Sequence, residues 1–174
     1  CGGAERRDSK PRADHHRYRD VMSDNVVSVS RVIHASPEAI FDVLANPARH
    51  AEIDGSGSLQ NIRGESERLA LGSKFGMDMK MGPMPYRISN TVKEFEENRL
   101  IAWAHFGGHR WRYELEPVEV DGKTATKVTE SFDWSTCPPG VGKGIELAGY
   151  PKKHPANMEA TLERLAAVVE TDGG

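Results

Sequence analysis

The sequence predicts an α+β domain in which a curved antiparallel sheet of about seven strands wraps a long C-terminal helix. Three observations carry this. Six consecutive segments between Leu59 and Trp134 have apolar residues at a period of two, the mark of strands with one buried face. Between Pro155 and Glu170, the residues Met158, Thr161, Leu162, Leu165, Val168 and Val169 recur at three- and four-residue spacings, the mark of a helix with one apolar stripe. One early strand and two short, sharply punctuated helices precede the strand run.

In order, residues 1–24 hold Gly2-Gly3, Pro11, His15-His16 and mixed charges with little to bury, and are expected to be a disordered tail or a non-native extension. Met22-Ser23-Asp24-Asn25 resembles a translation start, and a processed lipoprotein beginning at Cys1 is the alternative. His15-His16 lack the spaced third ligand that a defined metal site needs. The folded domain is expected over 25–171. Val27, Val29, Val32 and Ile33 mark its first strand, within Asn25–Ala35. Ser36-Pro37-Glu38 is a helix start, with Ser36 as N-cap, Pro37 in the first helical position and Glu38 near the positive dipole end. Asn46-Pro47 stops that helix, and a second short one is expected over Ala48–Glu52 before the turn Asp54–Ser58.

Strands are expected over Leu59–Glu67 and Ser73–Met81, joined as a hairpin near Leu71-Gly72, and then over Tyr86–Phe95, Arg99–Phe106, His109–Glu116 and Lys123–Trp134. Asp121-Gly122 marks a tight hairpin. Ser135–Lys153, rich in Pro and Gly, reads as a long loop with one turn of helix at Ile145–Ala148. The final helix then begins at Pro155.

At 174 residues the chain is long enough to bury a core without metal or disulfide. Its net charge of −3 argues against a nucleic-acid partner. No run of about 18 apolar residues is present, so no stable membrane insertion is expected. With only Cys1 and Cys137, no disulfide framework is visible, and a reducing, cytoplasmic location is the expectation. No dinucleotide fingerprint, nucleophile elbow or zinc signature occurs, so no cofactor or metal is implied. The thioethers of Met77, Met79, Met81 and Met84 would suit Cu(I), but such sites usually add Cys or His close by and this stretch has neither.

The order of elements, with the segments 29–45, 99–103, 111–117, 126–131 and 157–165, resembles the START-like superfamily called SRPBCC, whose helix-grip fold is that of the birch-pollen allergen. It looks most like the actinobacterial members labelled polyketide cyclase/dehydrase or lipid-transport proteins. The resemblance implies an apolar cavity between sheet and final helix that holds a small hydrophobic ligand such as a lipid, polyketide or aromatic compound. It leaves open a carrier, a cyclase or dehydratase, and a non-catalytic interaction module.

The concave face is expected to carry Phe75, Met77, Met79, Met81, Tyr86, Ile88, Asn90, Trp103, Trp111, Tyr113 and Phe132, with Trp134 beside them and Met158 and Leu162 opposite on the helix. Plain core packing accounts for most residues of any such face, but methionine and tryptophan adapt well to varied ligands. Asn90, His109 and Glu130 share that face as polar groups. A buried Glu130 would have its pKa raised and could act as general acid or base with His109 as proton partner. The alternative is a Glu130 near the cavity mouth or paired with an arginine.

Overall fold

The computed structural model describes residues 17–23, 25–64 and 67–172, and for 17–23 and 172 only the course of the backbone. Eight strands form one antiparallel sheet: β1 (Arg17–Ser23), β2 (Val26–Ile33), β3 (Leu59–Arg63), β4 (Lys74–Met81), β5 (Met84–Glu96), β6 (Leu100–Ala104), β7 (Arg110–Val120) and β8 (Lys123–Asp133). Their spatial order is β1-β2-β8-β7-β6-β5-β4-β3, so the last six form a meander and β2 closes against β8.

Among the described residues, four α-helices and a single 3-10 turn (Pro47–Arg49) accompany the sheet: α1 (Pro37–Leu44), α2 (His50–Ile53), α3 (Pro139–Leu147) and α4 (Tyr150–Asp172). No helix among the described residues is long and apolar enough to cross a membrane. Ser36 caps α1 as expected, its Oγ accepting from the Ala39 amide at 3.3 Å. Asp121 and Gly122 both have positive φ, 51° and 72°, as the two-residue type I′ hairpin requires. On α4, Met158, Leu162, Leu165 and Val169 are buried against β2, β8, α1 and α2. Burying each is worth about 1.5–3 kcal/mol as an upper bound, which ties the helix to the sheet.

The differences from expectation have physical causes. Arg17–Ser23, expected to be disordered, pairs with β2 through backbone hydrogen bonds, because the open edge of β2 offers a ladder that needs no apolar side chains. The remaining residues up to 16, with His15-His16, lie outside the described residues. Ser135–Lys153 is more helical than its glycines imply: α3 spans nine residues, and Gly149, at φ +72°, separates it from α4. Pro155 sits inside α4, which starts at Tyr150 with Pro151 in its first turn, where proline is tolerated. The link between β3 and β4 is no tight hairpin. It folds back over α1, burying Leu69, whose amide donates to the Ala45 carbonyl at 2.7 Å.

One glycine fixes how the loop after α2 meets α4. The Gly55 amide donates to Thr161 Oγ1 at 3.1 Å, and a Cβ at Gly55 would stand 2.3 Å from the Asn157 carbonyl oxygen and 2.4 Å from the Thr161 nitrogen. These are backbone atoms and cannot swing aside. Gly55→Ala is therefore expected to cost about 1–3 kcal/mol in urea denaturation. Gly144→Ala, in α3 with nothing within 4 Å of its added carbon, should instead stabilise by about 0.5–1 kcal/mol.

Candidate functional site

Cross-strand partners share a face of the sheet, so the register assigns the inner wall row by row. Val29, Glu130, Tyr113, Ile101 and Phe95 form one row across β2, β8, β7, β6 and β5. Val27, Phe132, Trp111, Trp103 and Val92 form the next. On β4 and β5, Phe75 pairs with Asn90, Met77 with Ile88, Met79 with Tyr86 and Met81 with Met84.

Of the residues expected on this wall, Phe75, Met77, Asn90, Trp103, Tyr113, Glu130, Phe132 and Trp134 are buried, as are Met158 and Leu162 opposite. Met79, Ile88, Trp111 and His109 are half-buried. Met81 and Tyr86 stand 61% and 41% exposed. They keep the alternation of their strands, but the β4–β5 hairpin runs out past the cover of the helices, and they project into solvent. Alternate positions on β4 are about 7 Å apart, so its thioethers are strung along the strand and not gathered around one point.

Two groups of polar side chains interrupt the apolar wall. In the first, Tyr113 Oη donates to Glu130 Oε1 at 3.0 Å, while Glu130 Oε2 is buried with no partner. Burial drives the Glu130 pKa up to about 8, aided by the charge of Asp54 and opposed by the tyrosine hydrogen bond. The carboxyl group is thus mostly protonated at neutral pH. Burial, and then the neighbouring carboxylate, raises the Tyr113 hydroxyl well above its ordinary range. Trp103 packs on Tyr113 at 5.4 Å between centroids, and His50 of α2 stacks on Trp103 at 5.1 Å. His50 Nε2 donates to the Leu44 carbonyl at 2.8 Å, which leaves Nδ1 as an acceptor, buried and unpartnered. Burial lowers its pKa to about 4, so the ring is neutral. Asn90 Nδ2 is likewise buried without a partner.

The second group lies toward the end of the sheet where β7 begins. The Nε2 atoms of His105 and His109 are 2.8 Å apart, one donating and the other accepting, and both Nδ1 atoms are unpartnered. His154 of α4 packs on Phe132 and Trp111 at 4.4 and 4.9 Å. Burial lowers all three pKa values, with His105 and His154 held to about 4 by the added repulsion of His109. Among the described residues no group of three or more His, Cys, Asp or Glu side chains is placed to hold a metal ion.

The expected pairing of Glu130 with His109 does not form. Tyr113 holds Glu130, and His109 lies four residues from Tyr113 along the chain, about 13 Å of strand away, where it bonds to His105. His50, His105 and His154 went unnoticed in the sequence. Only His105, two residues after Trp103 and hence on the same face, carried a local signal. His154 precedes the expected helix start, and His50 joins the site through tertiary packing alone. An open cleft of about 440 Å³, with Ser89, Thr91, Lys93 and Arg110 in its walls, lies on the outer face of the sheet.

A family model described as polyketide cyclase / dehydrase and lipid transport matches residues 25–170. The uncharacterized protein Rv0088 of Mycobacterium tuberculosis is 38% identical over 157 residues, covering 84% of this chain and 68% of its own. Among solved structures, a protein from Arthrobacter aurescens superimposes with a TM-score of 0.65 at 14% identity, covering 88% of this chain and 91% of that one. An AHSA1-like protein from Aeromonas hydrophila gives 0.50 at 19%, covering 84% and 94%. These structures share the helix-grip fold with this chain.

The raised pKa of Glu130 makes stability depend on pH. Its folded-state value lies above the unfolded one, so its contribution is fully present below about pH 4.5 and is lost as pH rises through about 8. Glu130→Gln keeps an acceptor for Tyr113 and removes the titration. Its melting temperature relative to wild type is expected to climb from pH 5 to pH 8.5, and a flat difference would contradict the assignment. The histidines, with lowered values, give the opposite slope below about pH 6.5, which cancels in this comparison.

Proposed function

Because the chain belongs to the polyketide cyclase / dehydrase and lipid transport family, we propose that it binds a small hydrophobic molecule on the inner face of the sheet. The ligand's single polar end, a carbonyl or hydroxyl, would rest against Glu130. The observation that carries this reading is the unpartnered Oε2 of a carboxyl group only 2% exposed. A buried polar atom left without a hydrogen bond costs about 1–3 kcal/mol, and a ligand group that accepts from the protonated carboxyl removes that cost. His50 Nδ1 and Asn90 Nδ2 offer an acceptor and a donor on the same wall. Phe75, Met77, Met79, Ile88, Trp103, Trp111, Phe132, Met158 and Leu162 would supply the apolar surround, with methionines that repack around varied shapes. A lipid, polyketide or aromatic compound fits this chemistry. As a thiol with no disulfide partner among the described residues, Cys137 suits the reducing, cytoplasmic setting included in this reading.

One observation favours a second reading. An acid that keeps its proton at neutral pH is what the dehydration or cyclisation of a polyketide chain requires of a general acid, and Glu130 is such a group. His109 would then act at the mouth of the site and not as the partner of Glu130.

Native mass spectrometry of the protein purified from its own source separates the readings. A retained apolar compound that is unchanged in mass and in chromatographic retention on incubation supports binding, and loss of water from it or its conversion to an isomer of equal mass supports the enzyme. No retained compound, with no response to apolar dyes, would leave a non-catalytic interaction module. For a carbonyl-bearing ligand, Glu130→Leu, which removes the donor that a glutamine amide would keep, should weaken affinity by about tenfold; unchanged affinity would remove Glu130 from the site.

A further inference from the structure

Among the described residues, the exposed large hydrophobic side chains are Leu71, Met81, Met84, Tyr86, Phe106, Val141, Leu147 and Tyr150. All but Leu71 lie at one end of the domain. The antiparallel order requires this: β4 runs into the turn at 82–83, β6 into the 105–109 loop, and β8 into α3 and the start of α4, all at the same edge of the sheet. Contacts join the three segments. Val141 Cγ1 lies 3.4 Å from the position of a Cβ on Gly107, beside Phe106. Tyr150 stacks on His154, which packs on Trp111 of the inner wall, and Tyr150 is close enough to Tyr86 to perturb its ionisation. Leu147, at 89% exposed, closes the last turn of α3.

Lysines without an ion-pair partner gather at this end. Lys80, Lys143, Lys152 and Lys153 are exposed and have no ion-pair partner among the described residues. Of the nearby acids, Asp78 is paired with Arg63 and Arg87, while Asp133, Glu146 and Asp54 keep their charge, the first two accepting from the Ser135 amide and Trp134 Nε1 and the third acting on Tyr86, so that the four lysines outnumber them. This basic end belongs to a chain whose net charge is −3. The core of a protein interface is depleted in lysine, whereas apolar and aromatic side chains flanked by lysines are the pattern of an interfacial lipid-binding surface.

We propose that this end is a docking surface for an anionic lipid bilayer. Met81, Met84, Leu147 and Tyr150 enter the boundary between headgroups and acyl chains, and the four lysines meet the anionic headgroups. Neither component suffices alone: the apolar contacts are few, and the lysine contribution is screened by salt. The docked end is also where His105, His109 and His154 flank the inner wall. The surface would therefore face the mouth of the proposed ligand site toward the bilayer, although the docking proposal does not rest on that reading.

The test is co-sedimentation of the full chain with vesicles of phosphatidylcholine alone and of phosphatidylcholine mixed with phosphatidylglycerol. Binding is expected to the anionic vesicles, to fall steeply with added salt, and to drop by about tenfold or more in Leu147→Asp and in Lys152→Glu/Lys153→Glu. Leu71→Asp, at the opposite end, should bind like wild type. All these positions are solvent-exposed, so melting temperatures should match wild type and report that the variants are folded. No binding to anionic vesicles, equal binding to neutral ones, or equal loss in Leu71→Asp would overturn the proposal. So would a wild-type dimer in sedimentation velocity that Leu147→Asp dissolves, since the face would then belong to a second copy of the chain.

Discussion

The inner face of an eight-stranded sheet is about 34 Å across, and the helix that covers it is about 10 Å wide. That mismatch governs the rest of the molecule. α4 lies along β2 and β8 and seals them with Met158, Leu162, Leu165 and Val169. The wall over β4 to β6 needs other cover, which α1 and α2 supply: Phe41 meets Phe95 at 5.4 Å, and His50 meets Phe75 and Trp103. Neither reaches the tip of the β4–β5 hairpin, and its methionines are left in solvent. Inner wall and exposed end are thus two consequences of one shortage of cover.

Within the covered part, the row from Glu130 through Tyr113 to Trp103 and His50 is the expensive feature. A core of this size could have been built from apolar residues alone, and a fully satisfied polar network would be neutral at best. This one leaves Glu130 Oε2, His50 Nδ1 and Asn90 Nδ2 without partners in the described structure. Buried orphan groups are rare in folded proteins, and three around one wall, on β8, α2 and β5, call for an ordered water, a ligand or a chemical role. Neutral His50 and protonated Glu130 keep full charges out of the apolar interior, so the wall is polar without being ionic.

Most of the wall was legible in the residues because period-two patterning is a local property. Phe75 and Met77, Trp111 and Tyr113, and Glu130 and Phe132 fall inside for the same reason that they alternate in the sequence. How far the alternation stays under cover is a tertiary property, which is why Met81 and Tyr86 obey the period and still face water. The pairing of β1 rests on backbone groups that side-chain composition does not report. α3 forms despite three glycines, and its lone buried large apolar residue, Ile145, is too little to give a sequence signal. His50 and His154 reach the wall only through the packing of α2 and the early start of α4.

The inner wall is built around a carboxyl group that holds its proton at neutral pH and whose Oε2 has no protein partner. Carbon-detected NMR titration of the Glu130 carboxyl, with and without a bound apolar carbonyl compound, addresses it directly. A midpoint near pH 8 is expected in the free protein, with a shifted carboxyl resonance on binding. An ordinary midpoint near 4.5, or a resonance that no apolar ligand moves, would contradict it.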